Sequence, residues 1–240
     1  MQFLNDLVSN INSVLWGVFV LIPLLCGTGI FYTFKLRFVQ VRKFGLAARY
    51  LLGGASLFGK RADKSGMSSF QALATAIAAQ VGTGNVAGTA TALVSGGPGA
   101  LFWLWVAAFF GMATIFAEAV LAQVYKDKDE YGHVVGGPAY YITKGMGEKY
   151  KPLAIFFSIA IIIALGCIGN MVQSNSISNA MATAFDVPLI VTGILTAIVS
   201  GLVFFGGVAR LASVTEKIVP FMAAIYIIGG SYVIGCHASQ

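Results

Sequence analysis

Apolar positions run through this chain in long stretches without charge. Residues 7–34, 65–117, 152–185, 187–209 and 218–240 contain no Asp, Glu, Lys or Arg. A helix needs about 20 mostly apolar residues to cross a hydrocarbon core of about 30 Å. The pattern predicts six spanning helices, over roughly 14–34, 68–94, 100–125, 153–179, 187–208 and 217–236. The 65–117 run is too long for one span. It carries SGGPGA at 95–100, where Gly96, Gly97, Pro98 and Gly99 stop a helix, so two spans joined by a tight turn are expected. Pro23 and Pro220 would kink spans one and six. The fold class is an all-α, multi-pass membrane protein.

Composition supports the same solvent: 58% of the 240 residues are hydrophobic and only 10% charged, well below a soluble domain. All 15 Lys and Arg fall in three segments between spans: eight from Lys35 to Lys64, five from Lys126 to Lys151, and Arg210 with Lys217. Asp6, the 95–100 turn and Asp186 lie on the side without basic residues. Under the positive-inside rule the three basic segments are cytoplasmic and both termini face outward, in the cell membrane. The net charge of +6 then reports topology and contact with anionic lipid, with no nucleic-acid partner. MQFLNDLVSN lacks the basic start of a secretory signal. Cys26, Cys167 and Cys236 have no CxxC or Cys/His cluster around them and read as buried free thiols. Trp16, Trp103 and Trp105 fall near outer span ends, where an aromatic belt would sit.

One stretch breaks the apolar pattern chemically. AQVGTGNVAG at 79–88 puts three glycines and a Thr–Asn pair in the middle of the second span. Backbone polar groups in hydrocarbon must be paired, so irregular backbone survives only inside protein or beside a watered cavity. Unwinding there would leave free carbonyls around Ala78–Val81 and free amides around Thr83–Asn85. Carbonyl oxygens, with the Thr83 hydroxyl and Asn85 amide, suit a hard cation such as Na⁺. Amides at a helix N-terminus suit a carboxylate. Broken transporter helices are known to use this arrangement. Close packing is the competing explanation, since Gly84 and Gly88 form a GxxxG pair among many alanines. The polar side chains of Gln80, Thr83 and Asn85 at one depth favour a site.

AQVGTGNVAGTATAL, GGPGALFWLWVAAFFGMAT at 96–114 and YGHVVGGPAYYI at 131–142 closely resemble the sodium:alanine (alanine or glycine:cation) symporter family. The resemblance implies a leucine-transporter-type fold of two inverted five-helix repeats after one extra N-terminal helix. Residues 1–36 would be the extra helix, 37–67 a basic cytoplasmic loop, 68–236 the first repeat, and 237–240 a tail. The second repeat is expected to be absent from these 240 residues, and the chain to be a fragment that needs the missing half for activity. The resemblance further implies Na⁺ as coupling ion, no cofactor, and a small neutral amino acid as substrate. Carbonyls of Ala78 and Val81 would face sodium, and the Gln80 carbonyl and Asn85 side chain the zone where ion and substrate meet. Thr83 and Gly84 amides would hold the carboxylate. On the third helix of that core, Asn170 and Gln173 are candidates to line the pocket or, equally, to bond between helices.

Other classes find less support. No Gly-x-Ser-x-Gly, HExxH or paired-carboxylate pattern appears. An intramembrane protease would need Ser174 or Ser176 with a histidine at membrane depth, while His133 lies in a loop and His237 in the tail. A proton-coupled carrier and a non-transporting structural fragment remain the alternatives. Glu118 in span three reads as structural, and 136–142 as a re-entrant or surface helix.

Overall fold

In the computed structural model, residues 2–17, 20–54, 69–130, 132 and 134–237 are described. His133, the 55–67 part of the predicted basic loop and the 238–240 end of the tail lie outside them. Among the described residues the regular structure is helical apart from one antiparallel ladder of β1 (Asp127–Lys128) and β2 (Val134–Val135).

Among the described residues, three helices are long and apolar enough to span: Gly99–Val124, Glu148–Phe185 and Gly207–Cys236, each with only 6% of its most apolar stretch buried. Their uncovered side chains are large hydrophobics such as Phe102, Ile162 and Ile227. That exposure is expected where the solvent is lipid. Leu21–Lys35 and Leu189–Phe204 are shorter apolar helices.

Several boundaries differ from the apolar pattern. The predicted first span divides into α1 (Gln2–Leu15) and α2 (Leu21–Lys35). Pro23 therefore sits in the first turn of α2, where a missing N–H costs nothing, and does not kink a span. The expected 37–67 loop contains α3 (Val39–Arg42) and α4 (Phe44–Gly54). The second span is two helices, α5 (Ser69–Gln80) and α6 (Thr83–Gly96). At the predicted 95–100 turn the chain passes through Gly97 at φ 66 into α7 (Gly99–Val124). The 136–142 motif forms α8 (Pro138–Met146), with proline at its first position. Span four is one continuous stretch: a 3-10 turn (Glu148–Tyr150), α9 (Lys151–Ile161), a π segment (Ile162–Gly169) and α10 (Asn170–Phe185). After α11 (Leu189–Phe204), α12 runs from Gly207 to Cys236. Arg210 and Lys217 are thus on a helix, with only Phe205 and Gly206 as the turn. Arg210 donates to the Leu202 carbonyl at 3.0 Å, satisfying an end of α11. Cys26, Cys167 and Cys236 are free as expected but exposed, not buried.

The helices form two units that do not follow the sequence-based division. One comprises residues 1–50 and 90–158, the other 51–89 and 159–240. In the first, α2 packs on α7. Gly29 permits this, because a Cβ there would sit 3.0 Å from the Phe110 Cβ. Buried Thr33 donates to the Gly29 carbonyl at 2.8 Å, and the Gln40 amide bridges to Thr33 Oγ1 (2.8 Å) and the Phe109 carbonyl (3.2 Å). Lys144 on α8 reaches Asp127 at 2.6 Å and, as hydrogen-bond donor, holds that carboxyl below its usual range. In the second unit, α5 packs on α12 and α10 on α11. Buried Ala74 and Ala212 keep the α5 and α12 surfaces small where those two helices meet.

Candidate functional site

The helical ladder of α5 stops at Val81, whose N–H still reaches the Ile77 carbonyl at 2.8 Å. Beyond it, Val81 and Gly82 leave helical geometry, and α6 starts at Thr83. The carbonyls of Ala78, Ala79, Gln80 and Val81 consequently lose their i+4 partners. The amides that would have closed that turn are diverted. Gly82 N–H donates to Asn85 Oδ1 at 3.0 Å, and Asn85 N–H to the Gly82 carbonyl at 3.1 Å. Asn85 thus acts as the third-position residue of a capping box, reaching back to the residue before the helix. Asn85→Ala is expected to cost about 1 kcal/mol of unfolding free energy, the usual size of a lost cap. Reversible unfolding in detergent measures it, and a loss under about 0.3 kcal/mol would mean the cap is idle.

Thr83 has a partner from another helix. Its N–H and its hydroxyl both donate to Gln173 Oε1 on α10, at 3.2 and 2.9 Å. Of the two third-helix candidates, the structure brings Gln173 to the break. Asn170 stays on its own helix, donating to the Gly166 carbonyl at 3.0 Å where the π segment ends. Gly82 explains the close approach: a Cβ there would lie 2.5 Å from Gln173 Nε2. A Cβ at Gly84 would meet nothing within 4 Å, so the second turn of the break borders open space. Gln80, Val81, Gly84 and Asn85 are exposed, whereas Ala78, Gly82 and Thr83 are half-buried.

Two further contacts hold the first half of the broken helix, and neither was singled out in the sequence. Gln71 donates to Glu216 Oε2 on α12 at 2.8 Å. One turn on, Thr75 and Thr215 hydroxyls lie 3.2 Å apart. Thr215 Oγ1 also lies 3.0 Å from the Leu211 and Ala212 carbonyls, which can accept its hydroxyl hydrogen. The available signal was the i, i+4 spacing of Gln71 and Thr75 on one helix face, together with the lack of a helix breaker between Val208 and Lys217. Ser176, the candidate nucleophile, has its hydroxyl on the Val172 carbonyl at 3.0 Å. That is ordinary i−4 back-bonding within a helix.

The model of the sodium:alanine symporter family matches residues 1–240. This chain belongs to the sodium:alanine symporter family. The family is one of transporters, and the α5–α6 break is therefore a helix interruption within a symporter-family chain. Among its relatives is the sodium/alanine symporter AgcS of Methanococcus maripaludis, 46% identical over 96% of this chain and 50% of the relative. The putative sodium/proton-dependent alanine carrier protein YrbD of Bacillus subtilis is 43% identical, over 98% of this chain and 46% of its own length. The probable sodium/glutamine symporter GlnT of Bacillus subtilis is 41% identical, over 100% and 48%. The symporter-family chain spans about half the length of the curated relatives it matches.

Proposed function

We propose that this chain contributes the broken-helix part of a sodium-coupled carrier for a small neutral amino acid, alanine or glycine, in the cell membrane. The observation that carries the reading is the opening at Val81–Gly82, with carbonyls released on one side and amides turned aside on the other. The freed oxygens of Ala78, Gln80 and Val81, with the Asn85 side chain, are a hard donor set of the kind Na⁺ takes. Thr83 and Gly84 begin α6, and their amides sit at the partially positive end of that helix, which favours a carboxylate. Gln173 Oε1 accepts from the Thr83 N–H and hydroxyl together. A substrate carboxylate oxygen would take the same two donors, so Gln173 has to yield when substrate binds. Asn170 lies three residues before it on the same helix and is assigned to the wall of the same pocket.

We further assign residues 1–36, which carry α1 and α2, to the extra N-terminal segment and 68–236 to the first of two inverted five-helix repeats. The remaining ligands belong to a second repeat outside residues 1–240. The basic segments face the cytoplasm, and the ends of this stretch face outward.

The test is uptake of labelled alanine and glycine into liposomes by a polypeptide joining this chain to the remaining length its relatives have. Uptake driven by an inward Na⁺ gradient and lost with choline at fixed pH supports the proposal. Undiminished uptake in choline that follows a proton gradient selects proton coupling, which the name of the relative YrbD includes. No accumulation of either amino acid under either gradient would end the carrier reading.

A further inference from the structure

Away from the helix break, the first unit contains a groove of about 340 Å³ at the end of α2. Lys35, Arg37, Arg42 and Lys43 line it together with Leu36, Val39 and Phe116. The backbone creates this convergence. Arg37 and Phe38 are both left-handed, at φ 53 and 54, which non-glycine residues adopt only when their surroundings hold them there. The hold is visible: Phe38 N–H donates to the Thr33 carbonyl at 2.8 Å, and Gln40 ties α3 to Thr33 and to Phe109 of α7. The reversal turns α3 back along the end of α2, so basic residues on both arms face one groove with Phe116 of α7.

Among the described residues no acidic side chain lines this groove, and none of its four basic side chains forms an ion pair. Four like charges gathered without a counter-ion repel one another even when exposed, and an anion among them relieves that repulsion. Its apolar lining comes from Leu36, Val39 and Phe116, the last on α7, a helix apolar enough to span the membrane. The groove therefore combines a cationic rim with an apolar wall at the boundary between α2 and its basic flank. At about 340 Å³ the groove has room for a phosphodiester.

We propose that this groove is a specific binding site for an anionic phospholipid, with the phosphodiester held by Lys35, Arg37, Arg42 and Lys43 and an acyl chain beginning along Leu36, Val39 and Phe116. Basic clusters that immediately flank a spanning helix on the cytoplasmic side suit anionic headgroups. Free phosphate shares the headgroup's charge but has no use for the apolar wall, so the commitment is to lipid. This site is independent of the proposed transport reading and stands or falls without it.

The experiment is native mass spectrometry of the delipidated 240-residue chain in neutral detergent, titrated with dioleoylphosphatidylglycerol, dioleoylphosphatidylcholine or inorganic phosphate. One phosphatidylglycerol should bind ahead of the rest, and phosphatidylcholine should not. A basic side chain at an anionic lipid surface contributes about a fivefold factor, so Arg37→Gln with Arg42→Gln should weaken the first binding event about 25-fold. Lys149→Gln with Lys151→Gln removes the same charge outside the groove and should leave it unchanged. If the arginine pair loses its helical circular dichroism, the exposed pair Lys35→Gln and Lys43→Gln replaces it with the same expectation. Equal weakening by the control pair would overturn the proposal in favour of diffuse charge attraction. So would equal binding of the two lipids, or inorganic phosphate displacing phosphatidylglycerol at matched concentration.

Discussion

Gly82→Ala is expected to destabilise the chain through Gln173 and through nothing else. Gly82 is not among the positive-φ glycines, so its backbone accepts an L side chain without strain. The new Cβ would stand 2.5 Å from Gln173 Nε2, 3.3 Å from its Cδ and 3.4 Å from its Oε1. Those atoms end a flexible side chain, and Gln173 will swing away before the backbone does. Both hydrogen bonds to Thr83 then go. At about 0.5–1.5 kcal/mol each, the loss is about 1–3 kcal/mol. Reduced entropy of the unfolded chain returns about 0.4–1 kcal/mol of it. The same exchange on a Gln173→Ala background meets no obstacle and should be neutral or slightly stabilising. A double-mutant cycle by reversible unfolding in detergent should therefore show a coupling energy of about 1–2 kcal/mol. Equal costs in both backgrounds would mean that Gly82 serves the backbone and not the close approach of Gln173.

The second large effect is expected between Gln71 and Glu216. Their 2.8 Å bond is partly buried and has a carboxylate acceptor. Hydrogen bonds to charged groups contribute about 1.5–3 kcal/mol, whereas those between membrane helices average about 0.6 kcal/mol. Half-burial places this one between the two, and Gln71→Leu should cost about 1–2 kcal/mol. Glu216→Leu should cost a similar amount, and the double variant little more than either alone. Glu216→Gln keeps an acceptor oxygen opposite the Gln71 amide and should lose less than about 1 kcal/mol. Limited proteolysis of the α5–α12 pair follows the same order, with the leucine variants cut sooner. Additive losses from Gln71→Leu and Glu216→Leu would show that the two side chains act separately.

These effects share a cause. A helix interrupted in a membrane protein must have its loose ends held, because hydrocarbon offers no partners. Here α5 is fixed to α12 before the interruption, through Gln71 and Thr75. The start of α6 is fixed to α10 at the interruption itself, through Thr83. Asn85 supplies the remaining acceptor locally. The opening is therefore a structured element, held by the side chains of Gln71, Thr75, Thr83 and Asn85.

Local rules made parts of this legible in the sequence. Three glycines around a Thr–Asn pair weaken a helix wherever they occur, so the interruption near Gly82 could be read directly. Asn85, three residues on from Gly82, is placed for its cap by helix geometry alone. The turn at 95–100 was equally readable, since Gly97 takes the positive φ that favours glycine. The start of α12 was not. Arg210, Glu216 and Lys217 look like a loop between spans, yet their segment is helical. Glu216 finds Gln71 on the facing α5, and Arg210 caps the end of α11. The division of the first span into α1 and α2 was hidden for the opposite reason, because the uncharged run 7–34 continues unbroken through both.

By itself the sequence determined the solvent, the helical class and the place where the second span gives way. Run length, charge spacing and glycine content act over a few neighbouring residues, and no distant partner is needed to evaluate them. Only the tertiary structure decided which side chains hold the opening. Thr83 and Gln173 are 90 residues apart in the chain, and Gln71 and Glu216 are 145 apart. Asn170 and Gln173 are chemically alike and three residues apart, so composition could not rank them. The π segment before α10 accompanies a turn in which the Asn170 amide meets the Gly166 carbonyl, while Gln173 reaches Thr83. Side-chain direction on a helix depends on every residue's rotation before it, and that rotation is settled by packing.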